Sequence, residues 1–318
     1  MDFLKKINVK AKQDTDSGFG INASNYGGRF FTKNGNANVK KVGLGFFEGI
    51  SWYHTMLTIP RPKFLFIILL FYFVVNLLFA MLYYFIGVEH LNGITAENDL
   101  EKFGQAFFFS IQTYTTVGYG HINPTGFIAS FVSSIEALIG LLTFAIATGL
   151  FFGRFSKPEA HIRFSDNALI APYLDGTAFV MRMAPFKNIN LSDVEAKMTL
   201  GLTIEENGIW VNKFYVLALE IEKVNSLTLS WTLVHPINKD SPFYEFTKAD
   251  FDVIAGEVLI YVKVFDDMYS TYVVKRTSYT FKEIVYGAKF DSMYNRNSDE
   301  TKTILHLEKL NSFQYMTI

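Results

Sequence analysis

The stretch SIQTYTTVGYGHINP, residues 110–124, lies between two long apolar runs. Inside it, Thr116-Val117-Gly118-Tyr119-Gly120 sets two glycines two positions apart. Glycine reaches backbone angles that a Cβ forbids, so successive carbonyls can turn the same way. The stretch reads either as a glycine-containing turn or as an ion path lined by carbonyl oxygens. The flanking sequence decides between them.

Upstream, residues 64–88 read FLFIILLFYFVVNLLFAMLYYFIGV, without a formal charge. That exceeds the roughly 20 residues that cross a bilayer as a helix. A soluble helix of this length shows a polar face, whereas here only Asn76 and ring hydroxyls are polar. Tyr83 and Tyr84 suit an interfacial aromatic belt. Downstream, residues 127–153 carry one formal charge, Glu136. An ionisable group in a span is costly and faces protein or water rather than lipid. A carboxyl hydrogen-bonded to a neighbouring element and a direct ion-binding group both stay open.

Between the spans, the aromatic stretch 103–114 is too short to cross and reads as a re-entrant half-helix. The chain then returns through TTVGYG as extended backbone. Non-helical backbone at membrane depth is tolerated only where protein surrounds it or water wets it. The segment therefore predicts an oligomer around an aqueous path.

The 318 residues are half apolar and 17% aromatic, rich for a soluble chain, yet 19% charged, too much for a wholly embedded one. A membrane part joined to a soluble part fits both figures. A net charge of -1 supplies no basic field for nucleic acid. The absence of cysteine excludes disulfides and thiolate metal sites. The N-terminus, MDFLKKINVKAKQDTDSGFG, lacks the apolar core of a signal peptide. Basic residues gather before the first span and again at Arg154 and Lys157, while the connection holds Lys102 against Glu89, Glu97, Asp99 and Glu101. The positive-inside rule then puts both termini in the cytoplasm.

A cation stripped of water needs replacement oxygens. Main-chain carbonyls of Thr116, Val117, Gly118 and Tyr119 supply rings of them when subunits converge on an axis. Thr116 adds a hydroxyl ring at the inner end. Val117 and Tyr119 are expected to point outward and pack on the half-helix, whose negative C-terminal end favours a cation.

TVGYG resembles the selectivity filter of potassium channels, whose carbonyl rings replace the ion's water. The chain resembles inward-rectifier potassium channels, closer to the bacterial branch than to the animal one. SGFGINASNYGGRFFTKNGNANV resembles the family's N-terminal segment and ISWYHTMLTIPRPKF its interfacial slide helix. SIEALIGLLTFAIATGLFFGRFSKP resembles the bacterial inner helix. LVHPINKDSPFYEFTKADF and VVKRTSYTFKEIVYGAKF resemble signatures of the cytoplasmic domain. Together these cover most of residues 17–290.

The resemblance implies a homotetramer with an α-helical two-span pore domain, a re-entrant pore helix and filter, and an all-β immunoglobulin-like cytoplasmic sandwich. The expected boundaries are an N-terminal segment 1–45, slide helix 46–59, pore domain 60–156 and sandwich 157–318. Within the pore domain they are outer helix 62–88, pore helix 103–115, filter 116–120 and inner helix 126–155. It implies potassium as the permeant ion, three identical subunits and anionic lipids as partners, no nucleic acid, no cofactor, and a bacterial inner membrane.

Along the inner helix, Gly140, Phe144, Thr148 and Phe152 recur at every fourth position, a helical stripe expected to line the pore. Phe144 stands where strong rectifiers carry an acid that binds polyamines or magnesium. Phe152 falls at the family's bundle crossing, where four phenylalanines would close the path by dewetting. Ordinary helix packing is the plainer alternative. Gly140 and Gly149 are the hinge candidates. Phe46, Ile50, Tyr53 and Leu57 form an amphipathic stripe for the slide helix. Arg61, Lys63, Arg154 and Lys157 are the lipid-headgroup candidates.

Filter support is assigned to Gln112 and Thr115. Gln112 replaces a glutamate carried by relatives, Ile122 stands at the animal family's arginine partner, and His121 replaces an aspartate common after the bacterial filter. Neutral hydrogen bonds from Gln112 are expected to brace the filter.

In the soluble half, KMTLGLTI and LTLSWTLVH alternate apolar and polar residues, as strands of a sandwich do. Val264, Phe265, Asp266 and Asp267 match the family's girdle loop. Cation attraction and a solvated turn both stand open for the two acids. Lys263 replaces an acid of strong rectifiers, and His235 is expected to be structural. No Rossmann fingerprint, HExxH, GxSxG or Walker motif appears. The rival readings are a potassium channel of another two-span class and a non-conducting membrane-anchored adaptor.

Overall fold

The computed structural model describes residues 11–14, 28–43, 45, 51–206, 209–296 and 301–317, the side chains of 205, 206 and 209 excepted. Phe46 and Ile50, part of the expected slide-helix stripe, lie outside these residues. Two units emerge, Val42–Lys157 on one side and Met1–Lys41 with Pro158–Ile318 on the other.

In the first unit, α1 (Trp52–Thr58) is N-capped by Ser51, whose hydroxyl accepts from the His54 N–H at 3.4 Å. Helix α2 (Arg61–Ile86) starts with proline in its first turn, where a missing N–H costs nothing, and stops at Gly87, which has φ +111°. After β1 (Leu91–Asn92) comes α3 (Asp99–Tyr114), the re-entrant helix. It begins four residues before the expected 103, because the Asn98 side chain caps it by accepting from the Glu101 N–H at 2.9 Å. Asp99 and Glu101 in its first turn favour the positive helix end. The polar DLEK turn, not the aromatic run, sets the start.

Strand β2 (Asn123–Pro124) pairs antiparallel with β1, and α4 (Gly126–Phe155) follows as one unbroken helix. Helices α2 and α4 have the length and apolarity to cross a membrane. Buried Ala106 and Phe109 of α3 pack with Tyr83 of α2 and Leu91. Edge-on ring pairs Tyr83–Phe109, Phe73–Phe107 and Tyr72–Tyr114 run along the same contact.

The second unit is a β-sandwich. Its strands are β3 (Ile162–Phe164), β4 (Ala168–Tyr173), β5 (Gly176–Pro185), β6 (Leu191–Glu206), β7 (Ile209–Leu217), β8 (Lys223–Ser226) and β9 (Trp231–Ile237). After α5 (Lys248–Val253) come β10 (Gly256–Asp266), β11 (Thr271–Thr280) and β12 (Ile284–Tyr286). The short strands β13 (Ala288–Phe290), β14 (Tyr294–Arg296), β15 (Thr303–Leu305) and β16 (Phe313–Tyr315) close the chain.

One sheet runs β11-β10-β6-β7 with β8 also on β6, and the other runs β12-β4-β5-β3 with β9 on β5. Met198, Leu200, Leu202 and Ile204 alternate into the core, where they meet Met181, Met183 and Phe179. The alternation around 227–233 is not one strand. Leu227 closes a bend by donating its N–H to the Leu191 carbonyl at 2.9 Å, and β9 begins only at Trp231.

The N-terminal residues belong to this unit. Lys12 and Asp14 extend the edge of β7, with hydrogen bonds to Val216 and Phe214 at 2.9 Å each. Farther on, the Phe30 N–H donates to buried Glu257 at 2.5 Å, and Arg29 pairs with Glu283 at 3.2 Å. Phe30 itself sits in a cluster with Phe214 and Leu259. At the other end, the buried Arg182 guanidinium donates to the carbonyls of Asp291, Lys309 and Leu310. Burial lowers its pKa to about 10, so the carbonyls hold a cation that water has left.

Candidate functional site

The filter segment follows directly from the C-terminal turn of α3. Thr115 donates both its N–H (3.0 Å) and its hydroxyl (2.7 Å) to the Ile111 carbonyl, finishing the helix. The Val117 and Gly118 N–H groups then turn back to one acceptor, the Gln112 main-chain carbonyl, at 2.9 and 3.2 Å. In a trans peptide, the N–H and the preceding C=O point in opposite directions. The Thr116 and Val117 carbonyls therefore point away from the pore helix, toward the open side.

Thr116, Gly118 and Gly120 have φ of +59°, +52° and +82°, while Val117 and Tyr119 between them do not share the positive angle. This alternation of hand keeps successive carbonyls on one side. The glycines were readable from sequence, but the left-handed Thr116 was not. It stores about 1–3 kcal/mol of strain, and its side chain gives no sign of it.

One sequence expectation changes here. The Gln112 contribution comes from its main chain, with no side-chain hydrogen bond to the filter. Within one subunit Val117 and Tyr119 are 53% and 80% exposed.

Thr115, Thr116, Gly140, Thr143 and Phe144 line one apolar hollow of about 700 Å³, joining the inner end of the filter to the inner helix. Phe144, Thr148 and Phe152 are exposed on α4, with the Thr148 hydroxyl donating to the Phe144 carbonyl at 2.8 Å. Gly140 is buried instead. Each four-residue step turns about 40° around a helix, so Gly140 has left the face that Phe152 occupies. It is a contact glycine, since a Cβ there would overlap the Tyr114 carbonyl. No atom lies within 4 Å of a Cβ built at Gly149, and the helix passes both glycines without a break.

The four basic residues separate into two groups. Arg61, Lys63 and Lys157 are exposed. Arg154 is half-buried, with its guanidinium donating to the Met56 carbonyl at 3.0 Å and to the Ile59 carbonyl. It also stacks over the Phe64 ring, 4.9 Å from the centroid. Its fork fits the last carbonyls of α1, which have no partner within the helix. Sequence reasoning saw only its charge.

In the sandwich, Val264, Phe265 and Asp266 are not loop residues. They complete β10, paired with Val273, Tyr272 and Thr271, and Val264 is fully buried. A β-branched apolar residue continues the alternation of the strand and delays the turn. Asp266 accepts from the Met268 and Tyr269 N–H groups at 3.0 and 3.3 Å, and Asp267 from the Ser192 hydroxyl at 2.6 Å. Both acids therefore tie the hairpin. Lys263 lies 4.1 Å over the Tyr272 ring. His235 is buried between the Ala218 carbonyl (2.7 Å) and the Ser241 hydroxyl (2.8 Å), and burial lowers its pKa.

Residues 162–316 match the inward rectifier potassium channel C-terminal domain, and residues 67–157 match the ion channel model. The chain is 30% identical over 281 residues to the inward rectifier potassium channel Kirbac3.1 of Paramagnetospirillum magnetotacticum, covering 87% of this chain and 92% of that one. It is 24% identical over 242 residues to the inward rectifier potassium channel irk-1 of Caenorhabditis elegans, covering 70% and 44%. A superposition on the Pseudomonas fluorescens alkylpurine DNA glycosylase AlkC, with 7% identity and a TM-score of 0.20, covers 58% of this chain and 47% of that one. With a two-span pore, a β-sandwich and these matches, the chain belongs to the inward-rectifier potassium channel family as a potassium-selective membrane channel of the bacterial kind, and not an enzyme.

Proposed function

We propose that four copies of this chain surround one axis and pass potassium through the carbonyls of Thr116, Val117, Gly118 and Tyr119. The observation that carries this reading is the alternation of positive φ at Thr116, Gly118 and Gly120, with two filter amides turned back to Gln112. A desolvated cation trades its water for such a ring.

The gate lies at Phe152, where an exposed phenylalanine on each inner helix makes a constriction that closes by dewetting. Rectification is weak, because neither Phe144 nor Lys263 attracts a blocking polycation. Arg61, Lys63 and Lys157 meet anionic headgroups at the cytoplasmic surface of a bacterial inner membrane, with both chain termini on that side. The hairpin after β10 rims the cytoplasmic path.

Rubidium uptake into proteoliposomes, with sodium as control and barium as blocker, tests the filter. Barium-sensitive rubidium flux without sodium flux is the expected result. Its absence from a correctly assembled protein refutes the reading in favour of the adaptor. Cross-linking of the purified channel, expected to stop at four subunits, tests the assembly.

A further inference from the structure

Glu136 of α4 is fully buried, which closes the direct ion-binding reading. Its Oε2 accepts from the Tyr83 hydroxyl of α2 at 2.6 Å, and its Oε1 lies 2.5 Å from the Ser110 hydroxyl of α3. Ser110 Oγ is also 3.1 Å from Asn76 Oδ1 and 3.2 Å from the Asn76 main-chain carbonyl on α2. The Asn76 amide nitrogen donates to the Tyr72 carbonyl at 2.7 Å. That carbonyl only accepts, so the amide oxygen must be the atom facing Ser110. Among the described residues no lysine or arginine pairs with this carboxyl.

The protons can be counted. A serine hydroxyl has one proton and an ionised carboxylate has none. If Glu136 were ionised, Ser110 would serve either Oε1 or Asn76, and the other oxygen would face a lone pair at contact distance. Buried oxygens left this way are costly. One more proton removes the conflict. Glu136 then donates from Oε1 to Ser110, Ser110 donates to Asn76, and Tyr83 donates to Oε2. Every oxygen is satisfied, and no unpaired charge is buried at membrane depth.

We infer that Glu136 is a neutral acid whose proton joins the inner helix to the pore helix, making it a positioning residue for the filter. Ser110 stands two residues before Gln112, whose carbonyl takes the Val117 and Gly118 amides. Holding Ser110 therefore fixes the turn that orients the filter. Glu136 thus brings an acid from the inner helix onto the pore helix at Ser110. The inference rests on residues 116–120 being the filter, so its test includes a readout that does not involve flux.

Glutamine matches the neutral acid, with its amide donating to Ser110 and its oxygen accepting from Tyr83. Glu136→Gln should keep rubidium-over-sodium discrimination within about twofold, while Glu136→Ala and Ser110→Ala lower it about tenfold through the lost buried hydrogen bond. Infrared difference spectra of wild type minus Glu136→Gln in proteoliposomes at neutral pH should show the carbonyl stretch of a protonated carboxyl. If Glu136→Gln does not fold, the same stretch is read by its shift in Ser110→Ala, which removes the acceptor. Carboxylate bands, an unshifted carbonyl in Ser110→Ala, or an assembled Glu136→Gln channel that no longer discriminates would each overturn the inference. If rubidium flux is absent in wild type but the protonated-carboxyl band is present, the filter reading fails and the neutral acid stands.

Discussion

The carbonyl of Tyr114 occupies the place where a side chain on residue 140 would have to begin. The inner helix touches the last turn of the pore helix because Gly140 has no Cβ. That turn carries Gln112 and releases the filter, so the contact sets the height of the filter.

Gly140→Ala must displace one of the two helices, at about 1–3 kcal/mol for overpacking. Rubidium flux through Gly140→Ala should fall at least about tenfold. Gly149→Ala meets no atom within 4 Å and gains up to about 1 kcal/mol of helix propensity. It should assemble and conduct as wild type. Equal damage from both substitutions would show that bending, not contact, is what these glycines provide.

Gly118 is needed for its angle and not for space, since nothing stands within 4 Å of a Cβ built there. Alanine at φ +52° costs about 1–2 kcal/mol per residue. Repeated in every subunit, that strain turns the carbonyl away. Gly118→Ala should lose discrimination between potassium and sodium while keeping the oligomer intact on size exclusion. Retained selectivity would mean that the backbone adopts another path.

Phe152→Ala removes the apolar constriction and should raise basal flux severalfold. Phe144→Asp places four acids in the path and should add a voltage-dependent block by spermine that wild type lacks. Planar-bilayer recording reads both effects. Strong spermine block of the wild type would contradict the assignment of weak rectification.

Arg154 holds two main-chain carbonyls at the end of α1 with one fork. Lysine keeps the charge but not the fork. Arg154→Lys should leave vesicle binding to anionic lipid unchanged and lower thermal stability by about 1–3 kcal/mol, as for a hydrogen bond to a charged group. Weakened lipid binding with unchanged stability would return Arg154 to the headgroup role.

His235 is held neutral in the fold, with burial lowering its pKa. The unfolded chain takes up a proton near the ordinary imidazole value of about 6.5, before the folded chain does. Stability therefore falls as pH drops below that value, and the loss ends only once the folded pKa is passed. The slope from this one group is at most about 1.4 kcal/mol per pH unit. Thermal unfolding of wild type and His235→Gln between neutral pH and pH 5 should show a shallower slope in the variant. Parallel slopes would exclude the histidine as their source.

Features held within a few residues of chain were legible in the sequence. The apolar runs, the short aromatic half-helix and TVGYG declare themselves, because length and glycine spacing are local properties. The alternation of Met198, Leu200, Leu202 and Ile204 is local as well. What stayed hidden depends on partners far along the chain. Glu136 could be flagged as costly, but Tyr83 and Ser110 stand 53 and 26 residues away and follow no period. Arg154 looked like any basic residue at a membrane edge until the Met56 and Ile59 carbonyls appeared beside it. Val264 was taken for loop by family position, although its β-branched side chain continues the alternation of β10. Thr116 shows that a strained angle need not be marked by glycine.

Arg29 and Glu283 are 254 positions apart, with the entire pore unit between them. During synthesis the arginine emerges long before its partner exists. Both spans have entered the membrane, and most of the sandwich has been made, before Phe30 and Arg29 find Glu257 and Glu283. Arg29 and Phe30, although made early, are thus among the last residues to dock. Contacts of such separation form slowly, and a ribosome that stalls before residue 257 leaves Phe30 without its anchor. With Glu257 and Glu283 both required, the docked Arg29 and Phe30 mark a chain whose sandwich has been made.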